Sequence, residues 1–167
     1  MKFPIVIVIA ALLGAGLVLF WYYGKKPYKH KGLAVDDLEK YFTTLLNRGF
    51  NGGFLVIEVP KRPLFIQFSK YIGKQGNIGL QFDFPRAGWS ENYYELVKNE
   101  ASKNKFQFSL QRGSDHTEFI TINLNQDIAQ AVVLSKLVLQ SVFKLDPATK
   151  LNLFFGNVSP KDEKIVS

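Results

Sequence analysis

The middle of the chain carries its most regular pattern, an alternation of apolar and polar side chains. Residues 54–59 and 64–68 read as two strands, and Pro60 and Pro63 enforce a turn between them. Residues 78–84 alternate strictly, with apolar side chains at every second position. A period of two is typical of strands with one buried face and one solvated face. The pattern therefore predicts a three-stranded antiparallel meander.

Ahead of the meander, apolar residues recur at helical spacing and predict a helix over residues 36–48. They are Leu38, Tyr41, Phe42, Leu45 and Leu46. Asp36 is placed to cap this helix, Glu39 stands three residues later as in a capping box, and Gly49 is a natural stop. The domain is thus expected to open with an amphipathic helix.

Four further elements follow the meander: helices over residues 91–103 and 127–144, and strands over residues 106–110 and 118–124. Ser90 is placed to cap the first of these helices. Residues 151–155 either form a short extra strand or pack down without pairing. The predicted order is α-β-β-β-α-β-β-α. This order indicates an α+β domain built on an antiparallel sheet.

The beginning of the chain has a different character, because residues 3–23 contain no charged side chain. A run of about 20 apolar residues matches the roughly 30 Å hydrocarbon core of a bilayer when it is helical. A cleaved signal peptide is the alternative, but its apolar region is about 7–15 residues long and ends at a small-residue cleavage site. Here the small residues lie in mid-run, and Trp21, Tyr22 and Tyr23 close it like an interfacial aromatic belt. We predict an uncleaved transmembrane helix.

The chain then divides into an anchor at residues 1–24, a basic juxtamembrane linker at 25–35, the α+β domain at 36–158 and a polar tail at 159–167. Lysines flank the predicted span unequally. Only Lys2 precedes it, whereas four lysines follow and join the aromatic belt at the membrane interface: Lys25, Lys26, Lys29 and Lys31. The positive-inside rule favours a single-pass protein of a bacterial inner membrane with its domain in the cytoplasm, and a periplasmic domain is the alternative.

Charge and cysteine content narrow the function classes. The formal net charge is +7, yet without the five lysines that precede residue 36 the chain has 16 basic and 14 acidic residues. Basicity therefore belongs to the membrane flank, and no basic face for nucleic-acid binding is expected. The absence of cysteine excludes thiolate catalysis and cysteine-ligated zinc.

Few residues suggest chemistry. His116 lies in a polar turn beside Asp115 and Glu118, but zinc sites use three or four protein ligands, so a solvated turn is favoured over a metal site. His30 is expected to be a solvated linker residue. The chain has no phosphate-binding loop and no nucleophile elbow. We expect no catalytic residue, no metal and no cofactor, and hence no enzyme.

Aromatic side chains are abundant, with 15 Phe, 7 Tyr and 2 Trp. Trp89 and Tyr93 lie near a predicted helix start, off its apolar face. Phe54 and Phe65 fall on the strand face opposite the main apolar positions. Because aromatic residues are enriched at interface hot spots, these four are candidate partner-binding residues. The alternative is that they belong to a core on both faces of the sheet.

Three sequence segments carry a resemblance: the strand pair FLVIEVP and LFIQFS, the following GNIGLQFDF, and the last helix AVVLSKLVLQSVFKL. Together with the element order, they make residues 36–155 resemble class I type III secretion chaperones and, more closely, the chaperone-like domains called TY-Chap. The resemblance implies a protein-binding module without catalytic residues, acting alone or as a homodimer. Such a module receives an extended segment of a partner.

These observations lead to two functional hypotheses. The first is a membrane-anchored, non-enzymatic protein-interaction module, chaperone- or adaptor-like, whose partners are the lipid bilayer and another protein. The alternative is a structural subunit of an envelope assembly, pilin-like or secretion-associated. The first residues lack the glycine cleavage site and early glutamate that pilins show, which favours the interaction module.

Overall fold

A computed structural model describes residues 28–159 of the chain. The predicted membrane span at residues 3–23 lies outside this part, as do Trp21, Tyr22, Tyr23, Lys25 and Lys26. Among residues 28–159, no helix is both long enough and apolar enough to cross a bilayer.

The described residues form an α+β fold with one antiparallel sheet of seven strands and three helices, which confirms the predicted class. In chain order the elements are β1 (Tyr28–Leu33), α1 (Leu38–Arg48), β2 (Gly49–Val59), β3 (Leu64–Ile72), β4 (Ile78–Pro85), α2 (Glu91–Lys103), β5 (Ser109–Arg112), β6 (Glu118–Asn125), α3 (Ile128–Lys136) and β7 (Leu151–Val158). A 3-10 turn (Val35–Asp37) precedes α1, and a π-helical turn (Leu137–Val142) continues α3.

The strand order across the sheet is β1-β7-β2-β3-β4-β6-β5, and every neighbouring pair is antiparallel. The predicted meander corresponds to β2, β3 and β4. Residues 151–155 form part of a strand and do not merely pack down, because β7 pairs with β1 on one side and with β2 on the other. The last strand in the chain is thus an interior strand of the sheet.

The helices pack on one side of the sheet, which we call the covered face. Phe42 of α1 packs edge-on against Phe68 of β3, with ring centroids 4.6 Å apart. Phe143, after the π-helical turn, contacts Phe84 of β4 at 6.2 Å. Leu55 pairs with both Phe68 and Phe155, so the covered-face side chains of neighbouring strands form one continuous layer. We call the opposite side the open face.

Strand β1 was not predicted, since residues 28–33 fall inside the predicted linker. Its pairing with β7 brings His30 opposite Leu153 on the covered face. The imidazole packs 5.0 Å from the Tyr41 ring and 6.5 Å from that of Phe155. The prediction of a solvated linker histidine is wrong, because His30 is a half-buried member of the core margin.

Two predicted caps act differently from expectation. Asp36 makes no cap and instead forms an ion pair with Lys136, with Oδ1 and Nζ 2.6 Å apart. The Ser90 hydroxyl donates to the Pro85 carbonyl at 2.6 Å and accepts from the Ala87 N–H at 2.9 Å. It therefore stabilises the loop before α2 and does not cap the helix.

The predicted strand over residues 106–110 is displaced along the chain. Phe106 and Phe108 alternate like a strand, but they lie in an irregular segment and pack against the core. Strand β5 begins at Ser109 and pairs with β6 up to Arg112. Two partly buried aromatic side chains in an irregular segment thus produce the same alternation as a strand.

The sheet has two ends. The entry end is the end at which β1 begins at Tyr28. The connecting segments there are residues 48–53, 72–77 and 125–127, and β7 also ends there, at residues 157–159. At the far end, the connecting segments are residues 33–37, 60–63, 85–90, 112–118 and 144–150. These names are used below.

Candidate functional site

The open face carries a mixture of half-buried aromatic, amide and hydroxyl side chains. Strand pairing assigns these residues to it: Phe54, Val56, Glu58, Phe65, Gln67, Ser69, Tyr71, Gln81, Asp83, Phe119, Thr121, Asn123, Asn152 and Phe154. Within residues 28–159, no helix packs over this face. The open face is therefore a candidate surface for receiving a partner.

Part of the open face is closed by its own aromatic rings. Phe54 stands opposite Gly156 in β7, and a Cβ built at Gly156 would collide with the Phe54 ring. Tyr71 covers Gly79 of β4 in the same way, and its hydroxyl donates to the Asn123 Oδ1 at 2.8 Å. A ring lying across a cross-strand glycine buries backbone that the missing side chain leaves bare. These rings stabilise the sheet.

The Phe154 ring on the same half is also occupied. The Lys29 ammonium lies 4.3 Å from the ring centroid, within the range of a cation–π contact. Lys29 is one of the predicted membrane-interface lysines, and it is exposed at the margin of the sheet. Lys31 is exposed two residues further along β1. The β1–β7–β2 half of the open face thus has a lysine-flanked rim.

The other half of the open face contains a depression of about 270 Å³. Its lining comes from β3, β4, β5, β6 and the turn between the last two: Phe65, Gln67, Asp83, Pro85, Gln111, Arg112, Gly113, Phe119 and Thr121. Most of these residues lie toward the far end. Small-molecule and side-chain pockets characteristically combine apolar walls with a few placed polar groups, as this one does.

Asp83 supplies the fixed polar centre of the depression. Its Oδ1 accepts from the Thr121 hydroxyl at 2.9 Å, and both of its oxygens accept from the Gln81 Nε2 at 3.0 Å. An ionised carboxylate offers about four acceptor positions, so capacity remains for a donor from a ligand. The floor is suited to receiving an N–H group or a cation.

The depression lacks the pairings that catalysis uses. The Asp83 carboxylate has hydroxyl and amide partners rather than a second carboxylate or a histidine, and acid–base or nucleophilic catalysis requires such convergent groups. Arg112 and Gln111 are exposed at its rim on the short edge strand β5. The groups of the depression can bind and orient a ligand.

The four predicted partner-binding residues do not form one cluster. Phe65 lines the depression and stacks on Trp89, with ring centroids 4.4 Å apart. Trp89 also contacts Phe84 at 5.7 Å, and Tyr93 packs on Phe143 at 5.0 Å, so both belong largely to the core margin. Phe54 covers Gly156. The structure therefore brings Phe65 and Trp89 together and separates Phe54 and Tyr93 from them.

Several lining residues were missed from the sequence, notably Asp83, Phe119 and Thr121. The alternation of β4 and β6 does place all three out of phase with the core positions, which is a usable signal. What the alternation cannot supply is the pairing of β4 with β6, which sets Asp83 opposite Thr121. The depression could not be predicted because Asp83 and Thr121 are 38 residues apart in the chain and only the register of the sheet brings them together.

A charged network holds the loop between β4 and α2. Arg86 donates from Nε to the Glu91 Oε1 at 3.0 Å, its Nη1 lies 3.6 Å from the Glu118 Oε1, and its guanidinium lies 5.1 Å from the centre of the Tyr94 ring. The hydrogen bond to Glu91 raises the pKa of Arg86. Burial, and secondarily the neighbouring Glu118, raises the pKa of the Tyr94 hydroxyl well beyond its ordinary value. The network fixes the loop that carries Trp89.

The metal alternative at the β5–β6 turn finds little support in the geometry. Hydrogen bonds from the Thr117 N–H and hydroxyl, at 3.1 and 2.9 Å, lower the pKa of Asp115. Glu118 points to Arg86, and His116 is exposed. In the part of the chain that the structure describes, no three His, Asp or Glu side chains gather in a metal-binding group.

No family model matches this chain, and no curated protein and no solved structure is significantly similar to it. The site itself therefore has to carry the functional argument.

Proposed function

We propose that this protein is a membrane-anchored, non-enzymatic interaction module, chaperone- or adaptor-like, that binds an extended polypeptide segment on the open face of its sheet. The observation that carries the proposal is the depression between Phe65 and Phe119, with Asp83 at its floor and the edge strand β5 at its side. Apolar walls, one fixed carboxylate and a free sheet edge together match the needs of an extended peptide.

The edge strand explains how the peptide backbone is held. Strand β5 is the last strand of the sheet, and all four of its residues are exposed. An edge strand presents unpaired N–H and C=O groups that a partner strand can complete. The opposite edge strand, β1, carries Lys29 and Lys31, and lysines are a common device against strand addition. Strand addition is therefore assigned to β5.

The depression explains how side chains are selected. Side chains of an added strand alternate between the two faces of the sheet, so every second one points toward the open face. Asp83 lies on β4, two strands inward from β5, and neighbouring strands are about 4.8 Å apart. The partner segment therefore has to continue from the β5 edge across the open face to place one large side chain in the depression of about 270 Å³ between Phe65 and Phe119. Asp83 then favours a donor nearby, such as a lysine, an arginine or an amide. The preferred ligand is a segment that alternates apolar and basic or amide residues.

The membrane part of the proposal rests on the sequence. The uncharged run of residues 3–23, its aromatic close and the lysines that follow it support a single span with the domain on the cytoplasmic side of a bacterial inner membrane. The anchor confines the binding domain to the membrane surface. The partner is then expected to be a membrane-associated or membrane-directed protein.

Site-specific photocrosslinking in cells tests the binding face. A photoreactive phenylalanine replaces Phe119 in the depression or, as a matched control, Leu96, which is 47% exposed on α2. We expect the probe at position 119 to crosslink one defined partner, the crosslink to disappear with the additional substitution Asp83→Leu, and the probe at position 96 to yield none. Equal crosslinking from both positions, or a crosslink indifferent to Asp83, contradicts the proposal.

A further inference from the structure

The entry end of the sheet differs from the far end in its exposed apolar residues. Phe50 is 48% exposed and Ile72 is 42% exposed, and both lie at the entry end. The chain brings them close together, because the Ile72 N–H donates to the Oδ1 of Asn51, the residue directly after Phe50, at 2.9 Å. Two of the five large exposed apolar side chains in the described residues thus share one small surface. We call it the entry patch, consisting of Phe50, Asn51 and Ile72.

The distribution of charge reinforces this difference. The connecting segments at the entry end hold three charged side chains among 18 residues: Arg48, Lys74 and Asp127. Those at the far end hold eleven among 29 residues: Asp36, Asp37, Lys61, Arg62, Arg86, Arg112, Asp115, Glu118, Lys144, Asp146 and Lys150. Asp127 is already engaged, since it accepts from the Gln130 N–H at 2.9 Å. The entry end thus carries few charged side chains, and two of the three are basic.

The path of the chain brings the entry end close to the bilayer. Strand β1 starts at Tyr28, and only residues 24–27 separate it from Tyr23, the last aromatic residue of the proposed anchor. Even fully extended, the five Cα–Cα steps from Tyr23 to Tyr28 span at most about 18 Å. The headgroup layers add about 5–8 Å to each side of the hydrocarbon core. The entry end therefore cannot move far from the headgroups.

We propose that the entry patch seats in the interface of the same bilayer that holds the anchor, with Phe50 and Ile72 at the boundary of headgroups and acyl chains. Lys74 is exposed just after the patch in the chain and is placed to meet anionic headgroups, whereas Arg48 donates to the Ser159 carbonyl at 2.6 Å. The proposal rests on the anchoring proposed above. It sets the sheet upright on the membrane, with the depression at its far end facing the cytoplasm.

The absence of cysteine allows a direct measurement of depth. The full chain is reconstituted into vesicles of phosphatidylcholine and phosphatidylglycerol, with a single cysteine carrying an environment-sensitive fluorophore. The variants are F50C, I72C and the matched control L110C, whose position is 48% exposed and belongs to β5, away from the entry end. We expect blue-shifted emission and quenching by nitroxide-labelled lipids at positions 50 and 72, and water-like emission without quenching at position 110.

Two readouts separate failure of this inference from failure of the anchor. Extraction of the vesicles with alkaline carbonate leaves the chain in the membrane if the anchor spans it and releases the chain if it does not. Retention with water-like emission at both 50 and 72 overturns the seating of the entry patch alone. Since a label at position 50 can disturb β2, I72C at the exposed end of β3 is the independent second variant, and unchanged circular dichroism verifies folding of each.

Discussion

The two faces of the sheet differ in how deeply their aromatic rings are buried and in which side chains surround them. On the covered face, Phe68, Phe82 and Phe84 are fully buried in successive contacts, with ring centroids 5.2 and 6.2 Å apart. On the open face, rings lie flat over glycines or line a shallow depression, and amides and hydroxyls stand between them. Stability is therefore concentrated on one face. The other face is free to carry recognition without threatening the fold.

The largest effect is expected from truncating the covered face. Phe82→Ala removes a ring with no exposed surface from the centre of the aromatic layer, and such core truncations cost about 3–5 kcal/mol. The matched substitution on the open face, Phe119→Ala, removes a half-buried ring and is expected to cost under about 1 kcal/mol. Urea denaturation of the detergent-solubilised chain measures both. Equal destabilisation by the two substitutions would contradict the conclusion that stability is concentrated on the covered face.

An intermediate effect is expected where the open face is closed by its own rings. Gly156→Ala places a methyl group where the Phe54 ring lies, so the ring has to swing into solvent and lose its packing. A loss of about 1–2 kcal/mol is expected, close to the value of burying part of one large apolar side chain. Gly88→Ala is the control, because a Cβ there meets nothing within 4 Å. Similar stability of both variants in urea would show that the ring is not structural.

The smallest effect concerns the one charged side chain buried on the covered face. Lys70 is 6% exposed beside Gly49 and Leu45, and desolvation lowers its pKa. A lowered pKa means that the ionised lysine destabilises the folded state below its folded-state pKa. This penalty fades as the pH rises toward the ordinary value of 10.5.

Lys70→Met is accordingly expected to stabilise the domain by roughly 1 kcal/mol at neutral pH, within the range commonly seen for stabilising substitutions. The advantage over the natural chain shrinks as the pH rises through 10.5, because the lysine then loses its charge in both states. Urea midpoints at a series of pH values give this difference directly. An advantage that is independent of pH would trace the gain to packing instead of charge.

Local pattern was sufficient for much of this architecture. The meander and the first two helices follow from periods of two and of three to four, because one buried face imposes its rhythm on the side chains. Strand β1 was not predicted because its lysines and histidine show no periodic apolar pattern, although His30 packs on Tyr41. An edge strand receives hydrogen bonds from one neighbour and needs little burial of its own.

The candidate site was less accessible from sequence. Phe65 was selected because it lies out of phase with its strand's core positions, and it does line the depression. Phe54 satisfied the same criterion but stands opposite Gly156, which only the β2–β7 register reveals. Trp89 and Tyr93 were chosen because they lie off the apolar face of one helix, and rings from other elements pack against them. Tertiary register, not local pattern, distinguishes a recognition residue from a packing residue here.

The position of β1 also has a mechanical consequence. The strand begins at the entry end, beside the proposed anchor, and runs toward the far end while paired along its length with β7. Hydrogen bonds of an antiparallel pair lie perpendicular to the strands. A pull between the membrane and a partner held at the far end therefore loads the β1–β7 bonds together in shear rather than one after another. Under the proposed anchoring, tension between tether and partner therefore meets the strongest loading direction of the β1–β7 pair.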